Sequence, residues 1–156
     1  MDVDAFTAFY GKTARPLWVY LYRVTRNAAD ADDILQEAFC RLLGAKRELT
    51  TEEQCRRYVY RIASNLLVDR WRVQRRLRDS ELDDARLTNT APPLNDGDDA
   101  LQMLACLLPR ERALLWLAHV DGYSHDEIGR ALGLARGSVR VLLFRARKRL
   151  RDVLNG

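Results

Sequence analysis

The chain of 156 residues and 18.0 kDa is 47% hydrophobic and 31% charged, a balance that excludes wholesale disorder and leaves room for one domain or two very small ones. Its longest apolar runs, Leu17–Tyr22 and Ala113–Ala118, fall far short of the roughly 18 residues a membrane span needs. The acidic start Met1-Asp2-Val3-Asp4 leads into no apolar segment, so neither a secretory leader nor membrane insertion is expected.

Cys40, Cys55, Cys106, His119 and His125 lie too far apart for a metal-ligand spacing or a disulfide framework. Reduced thiols, a cytoplasmic location, and no metal or cofactor are the expectation. The net charge of +4 is unevenly spread: −2 over residues 1–55, +7 over 56–78, −6 over 79–100 and +5 over 101–156. Two basic segments separated by an acidic one suggest two polyanion-binding surfaces joined by a segment that avoids them.

In chain order, Asp4–Tyr10 reads as a short first helix, and Pro16 fits the first turn of a second that carries Leu17, Trp18, Leu21, Tyr22 and Val24. Asn27 or Asp30 caps the next helix, Ala29–Leu43, and Gly44 ends it. Its buried stripe is Ala31, Ile34, Leu35, Ala38 and Leu42. The opposite side presents Asp32, Asp33, Gln36, Glu37 and Cys40, an acidic face that extends beyond the capping turn and so suits a partner.

After a polar loop at residues 45–54, a long helix is expected from about Glu53 to Arg76, burying Val59, Ile62, Ala63, Leu66 and Val73. Arg57, Arg61, Asn65, Arg72 and Arg76 share its exposed face. Such a row repels itself unless an anion lies alongside, and a phosphate backbone is the simplest one. Asn65 is of a type that reads a base edge.

Residues 79–100 (DSELDDARLTNTAPPLNDGDDA) carry Pro92-Pro93, Gly97 and little periodic hydrophobicity, the composition of a flexible linker. Stretched out, this segment reaches at most roughly 70–80 Å. Leu101–Leu108 is expected to be helical, Pro109 opens a helix with Leu114, Leu115, Leu117 and Ala118 inward, and Gly122 stops it. Ser124-His125-Asp126-Glu127 is a capping box, Gly133 a turn, and a helix from about Ala135 buries Val139 and Leu142. Helix, short turn and helix is a DNA-reading motif. The second helix holds seven basic and no acidic residues between Leu134 and Arg151. Arg140, Phe144 and Arg147 share a face with Arg136 one turn earlier. Arginine pairs with guanine there, and Phe144 either meets a thymine methyl or packs inward.

The segments ADADDILQEAFCRLL (29–43), RRYVYRIASNLLVDRWRVQRR (56–76) and LLPRERALLWLAHVDGYSHDEIGRALGLARGSVRVLLFRARKRL (107–150) resemble, in order, an extracytoplasmic-function (ECF) sigma factor of bacterial RNA polymerase. The resemblance implies an all-α fold of two small helical domains: region two over residues 1–78, a flexible acidic linker over 79–100, and a region four helix-turn-helix over 101–156. It implies no enzymatic activity of the chain's own. Asp32, Asp33, Gln36 and Glu37 would dock on the clamp helices of the polymerase's largest subunit, with the flap as a further contact. Arg57, Arg61, Asn65, Arg72 and Arg76, with the loop of about Gly44 to Gln54, would engage the promoter −10 element and help hold a flipped base. His125, Arg136, Arg140, Phe144, Arg145 and Arg147 would engage the −35 element, His125 through a phosphate at a helix N-terminus. Promoter DNA, core polymerase and an anti-sigma factor are the implied partners, and the linker would thread toward the polymerase cleft.

Where the family often has threonine, valine, lysine, serine and arginine, this chain has Ser138-Val139-Arg140-Val141-Leu142. Val141 cannot hydrogen-bond a base and Leu142 removes a charge, so either a different −35 preference or a greater dependence on DNA shape is expected. The rival reading is a stand-alone helix-turn-helix regulator with a sensing or dimerising N-terminal half. That half would have no need of the second basic surface at 56–78. An enzyme built on Asp32-Asp33 as a magnesium pair lacks the further oxygen ligands such an ion needs.

Overall fold

A computed structural model describes residues 2–45, 49–81 and 106–155. Among them the chain forms six helices and no strand: α1 Val3–Thr25, α2 Ala28–Leu43, α3 Glu52–Glu81, α4 Pro109–His119, α5 His125–Leu132 and α6 Arg136–Asn155. The all-α expectation holds. The helices fall into two compact units, Met1–Leu67 and Val68–Gly156, with the boundary between them inside α3. Of the expected linker, the first three residues form the end of α3. Its remainder from residue 82, and residues 101–105 of the helix expected over Leu101–Leu108, lie outside the described residues.

In the first unit, α1 is one helix where two were expected. Pro16 sits inside it, at a cost of about 3 kcal/mol for an interior proline. Phe9, Thr13, Leu17, Tyr20, Leu21 and Val24 form one buried stripe on both sides of it. A fully buried leucine-sized side chain is worth about 1.5–3 kcal/mol, so several together outweigh the proline. Pro16 itself faces solvent, where water can serve the carbonyl whose helical donor it lacks. Asp2 caps the start, its carboxylate accepting from the Ala5 amide at 2.7 Å.

Asn27, rather than Asp30, caps α2, accepting from the Asp30 amide at 3.0 Å. The predicted stripe of α2 is buried, with Phe39 in addition. Phe39 meets Tyr10 edge-on at 4.8 Å near one end of α1, and Asp32 meets Trp18 further along, so the two helices run antiparallel.

Thr51 and Gln54 cap α3 reciprocally: the Gln54 amide donates to Thr51 Oγ1 at 3.1 Å, and Gln54 Oε1 accepts from the Thr51 amide at 3.4 Å and from the Thr50 amide at 2.9 Å. Cys55, Val59, Tyr60, Ile62, Ala63, Ser64 and Leu67 are buried. Tyr20 and Ser64 join their hydroxyls at 2.8 Å inside, which gives these buried polar groups a partner. Leu66 is half-buried, and Val73, expected inside, is 49% exposed, because it lies beyond Leu67, where the first unit ends. All three cysteines are free, and burial pushes the Cys55 thiol up.

In the second unit, Pro109 opens α4 and Glu111 reaches back to the Leu108 amide at 2.9 Å. Arg112 is buried and donates to the Leu107 carbonyl at 2.5 Å. The predicted capping box of α5 is present: the Ser124 hydroxyl accepts from the Glu127 amide at 3.2 Å, and the Ser124 amide donates to Glu127 at 2.9 Å. Gly133 then takes φ 70°, a left-handed conformation that favours glycine. The Leu134 amide turns back to the Gly129 carbonyl at 2.8 Å. α6 follows after Ala135, burying Val139, Leu143 and Ala146; Leu142, expected inside, is only half-buried.

The turn between α5 and α6 leaves no room at Gly129, where an added Cβ would lie 2.6 Å from the Leu134 carbonyl oxygen. Gly129→Ala is expected to destabilise the second unit by about 1–3 kcal/mol, because overpacking against backbone exceeds alanine's gain in helix propensity. Chemical denaturation followed by circular dichroism checks this, and a stabilised variant would contradict it.

Candidate functional site

Once the apolar stripe of α2 is buried on α1, its opposite side must face water. Asp32, Asp33, Gln36, Glu37, Cys40 and Arg41 are all exposed there, so the predicted acidic residues share one face. Asp32 and Glu37 have defined partners. Trp18 Nε1 donates to Asp32 Oδ1 at 2.7 Å, and that indole stacks on Tyr22 with ring centroids 5.0 Å apart. Glu37 accepts from Arg41 Nε at 2.8 Å one turn later. The Trp18 contact crosses between helices and had no signal in the sequence.

On α3, Arg57 and Asn65 are exposed and Arg61 is half-buried within the first unit. Arg72 and Arg76 are exposed on the distal part of the same helix. The row is less bare than its composition suggests. Glu53 pairs with Arg57 at 3.0 Å and with Arg56 at 3.4 Å, and Asp69 lies 3.9 Å from Arg72. Hydrogen bonds from Arg56 and Arg57 hold the Glu53 carboxyl below its ordinary value of 4.5. Arg56 also lies over the Tyr60 ring.

In the second unit, α6 puts its cations on several sides. Arg136 approaches Asp126 at 3.6 Å, Arg149 approaches Glu111 at 3.5 Å, and Arg147 Nε donates to His119 Nε2 at 3.1 Å. Accepting at Nε2 places the proton of a neutral His119 on Nδ1. Arg140, Arg145 and Lys148 are exposed and make no ion pair or hydrogen bond among the described residues. Lys148 was not singled out in the sequence. At about 100° per residue, the face opposite the buried Val139, Leu143 and Ala146 carries Gly137, Val141, Phe144 and Lys148, with Arg140 and Arg145 on either flank. Phe144 is 62% exposed, so it does not pack inward. His125 is the first residue of α5 and half-buried. Among the described residues there is no cluster able to hold a metal ion and no helix long and apolar enough to cross a membrane.

Residues 9–77 match the family of sigma-70 region 2, and residues 98–150 match sigma-70, region 4. The chain is 30% identical over 159 residues to the RNA polymerase sigma factor CarQ of Myxococcus xanthus, covering 97% of this chain and 90% of that one. It belongs to the ECF RNA polymerase sigma factors.

Two further relatives agree. The ECF sigma factor SigL of Mycobacterium tuberculosis is 30% identical over 94% of this chain and 87% of its own length. The ECF sigma factor SigE of Mycolicibacterium smegmatis is 33% identical over 85% of this chain, which spans 55% of that longer relative. The fold is that of the sigma factor RpoE from Bartonella quintana, solved in complex with the anti-sigma factor NepR, with a TM-score of 0.72, 18% identity and 98% of both chains covered. As a sigma factor, the chain directs the initiation of transcription at promoters. The stand-alone regulator is not favoured, because the region 2 match accounts for the N-terminal half.

The Glu53 cluster has a pH signature. A carboxyl held below its ordinary value adds stability that is complete above about 4.5 and is lost as the pH falls through the lowered value. The pairs are exposed, so their worth is about 0.2–1 kcal/mol. Glu53→Gln is expected to lower the unfolding free energy measured in urea by that small amount near neutral pH, with the difference vanishing in acid. A difference that grows on acidification would contradict the pairing.

Proposed function

We propose that this sigma factor grips core RNA polymerase with the acidic face of α2 and contacts promoter DNA with α3 and α6. The observation that carries the reading is the segregation of charge: Asp32, Asp33, Gln36 and Glu37 share one exposed face, and exposed cations line faces of α3 and α6. The family's largest-subunit clamp helices are the partner for the acidic face, and the flap is a further polymerase contact. Arg57, Arg61, Asn65, Arg72 and Arg76 serve the −10 element. Phosphates compete there with Glu53 and Asp69 for the arginines, an exchange of low cost because exposed pairs are weak. His125, Arg136, Arg140, Phe144, Arg145 and Arg147 serve the −35 element, with α6 as the recognition helix.

Residues 1–78 then act as region two, 79–100 as the connection and 101–156 as region four, in the cytoplasm where polymerase works. The chain supplies recognition and a hold on melted DNA, and the polymerase supplies the chemistry. An anti-sigma factor is the further partner that family membership supports.

Two substitutions test the assignment. Glu37→Lys reverses a charge on the α2 face and is expected to weaken binding to core polymerase at least tenfold with an unchanged helical spectrum. Retention on core equal to wild type would contradict the docking role. Arg140→Ala is expected to cost about 1–3 kcal/mol in −35 binding if the guanidinium pairs with a guanine, read as lost transcription from a promoter with an intact −35 element. Undiminished use of that promoter would remove Arg140 from the reading set.

A further inference from the structure

The crest of α6 poses a question that its cations do not answer. Val141 is 47% exposed and Phe144 62% exposed, on the side of the helix turned away from the core. Three residues apart, they are neighbours with Cβ atoms about 5–6 Å from each other. Together they make one apolar strip. Arg140 and Arg145 flank it and Lys148 follows it, all three without an anionic partner among the described residues. Gly137 opens the same crest one turn earlier, and a Cβ there would meet nothing within 4 Å. The strip therefore stands proud of the helix, framed by charge that is unpaired among the described residues, with no side chain at Gly137 on its N-terminal side.

We infer that Val141 and Phe144 select the −35 sequence by packing on thymine 5-methyl groups in the major groove. The inference rests on the proposed role of α6 as the recognition helix and adds what that helix reads. A valine has no donor or acceptor, so it draws nothing from the hydrogen-bonding pattern of a base edge. The one apolar feature that distinguishes base pairs in the major groove is the thymine methyl. The spacing of Val141 and Phe144 spans one to two steps of the roughly 3.4 Å rise along a strand, which suits thymines at neighbouring or next-but-one positions. Charge picks the occupant. An apolar protein surface would leave Arg140, Arg145 and Lys148 without anions, whereas a duplex delivers phosphates beside the methyl groups it presents.

Substitution of deoxyuridine for thymine removes the methyl and leaves every hydrogen-bonding group in place. Holoenzyme reconstituted from core polymerase and the full chain would first select −35 sequences from a randomised upstream library by transcription. The winning promoter would then be rebuilt with deoxyuridine at one thymine at a time. Loss of about threefold to tenfold in open-complex formation at one or two positions is expected. Val141→Ser should erase the loss at one position and Phe144→Ala at the other, both with wild-type helical spectra, since both side chains are exposed. Deoxyuridine tolerated throughout, with Arg140→Ala still defective, would overturn methyl reading while leaving α6 as the recognition helix. If Arg140→Ala and deoxyuridine are both silent, α6 does not read the promoter and both readings fall. A Val141→Ser holoenzyme that keeps the same selected sequence and the same deoxyuridine sensitivity also overturns the role of Val141.

Discussion

The constraint of burying one apolar stripe decides which side chains of α1, α2 and α6 face water. α1 shows its strength. The stripe from Phe9 to Val24 holds one helix together across Pro16, against a penalty that would end an isolated helix. With the α2 stripe packed on α1, no rotation of α2 can hide Asp32, Asp33, Gln36 or Glu37 without exposing Ile34 and Leu35. α6 obeys the same rule. Val139, Leu143 and Ala146 face inward, so Val141 and Phe144 must face outward. The close approach of Gly129 to Leu134 sets the start of that helix.

A second layer lies in which cations are already partnered. Glu53, Asp69, Asp126, Glu111 and His119 attend Arg57, Arg72, Arg136, Arg149 and Arg147. These contacts are mostly solvent-exposed, and such pairs contribute between nothing and about 1 kcal/mol. Pairs this weak cost little to exchange for another anion. Arg140, Arg145 and Lys148 have no such attendants among the described residues, so α6 carries a field ready for a polyanion.

Much of this was legible in the sequence, because helical periodicity and capping are local. The stripe of α2, the Asn27 cap, the Ser124–Glu127 box and the Gly133 turn all follow from residues within a few positions of one another. What escaped depends on partners distant in sequence. Pro16 reads as a helix start until the stripe on both sides of it is seen to pack on one surface. Val73 continues the α3 pattern but lies past the point where the first unit ends, so it stays exposed. Leu142 and Leu143 are adjacent and equally apolar, and only the packing of α6 decides that Leu143 is the buried one. Arg112 counts as a surface charge by composition yet is buried with the Leu107 carbonyl as acceptor. The Trp18–Asp32 hydrogen bond and the Arg147–His119 contact join residues 14 and 28 positions apart, beyond any local pattern. Periodicity placed the acidic face correctly but centred the α6 face on Arg140 and Arg147, when its crest runs through Gly137, Val141, Phe144 and Lys148.

The central claim is that these exposed faces let a larger enzyme start transcription at chosen sites. Its most direct test is transcription by purified core polymerase on fragments of the source genome, with and without the full chain, followed by mapping of transcript 5′ ends. Discrete start sites that appear only when the chain is present, and that share two sequence elements upstream, are expected. Identical 5′ ends in the two reactions would contradict the claim.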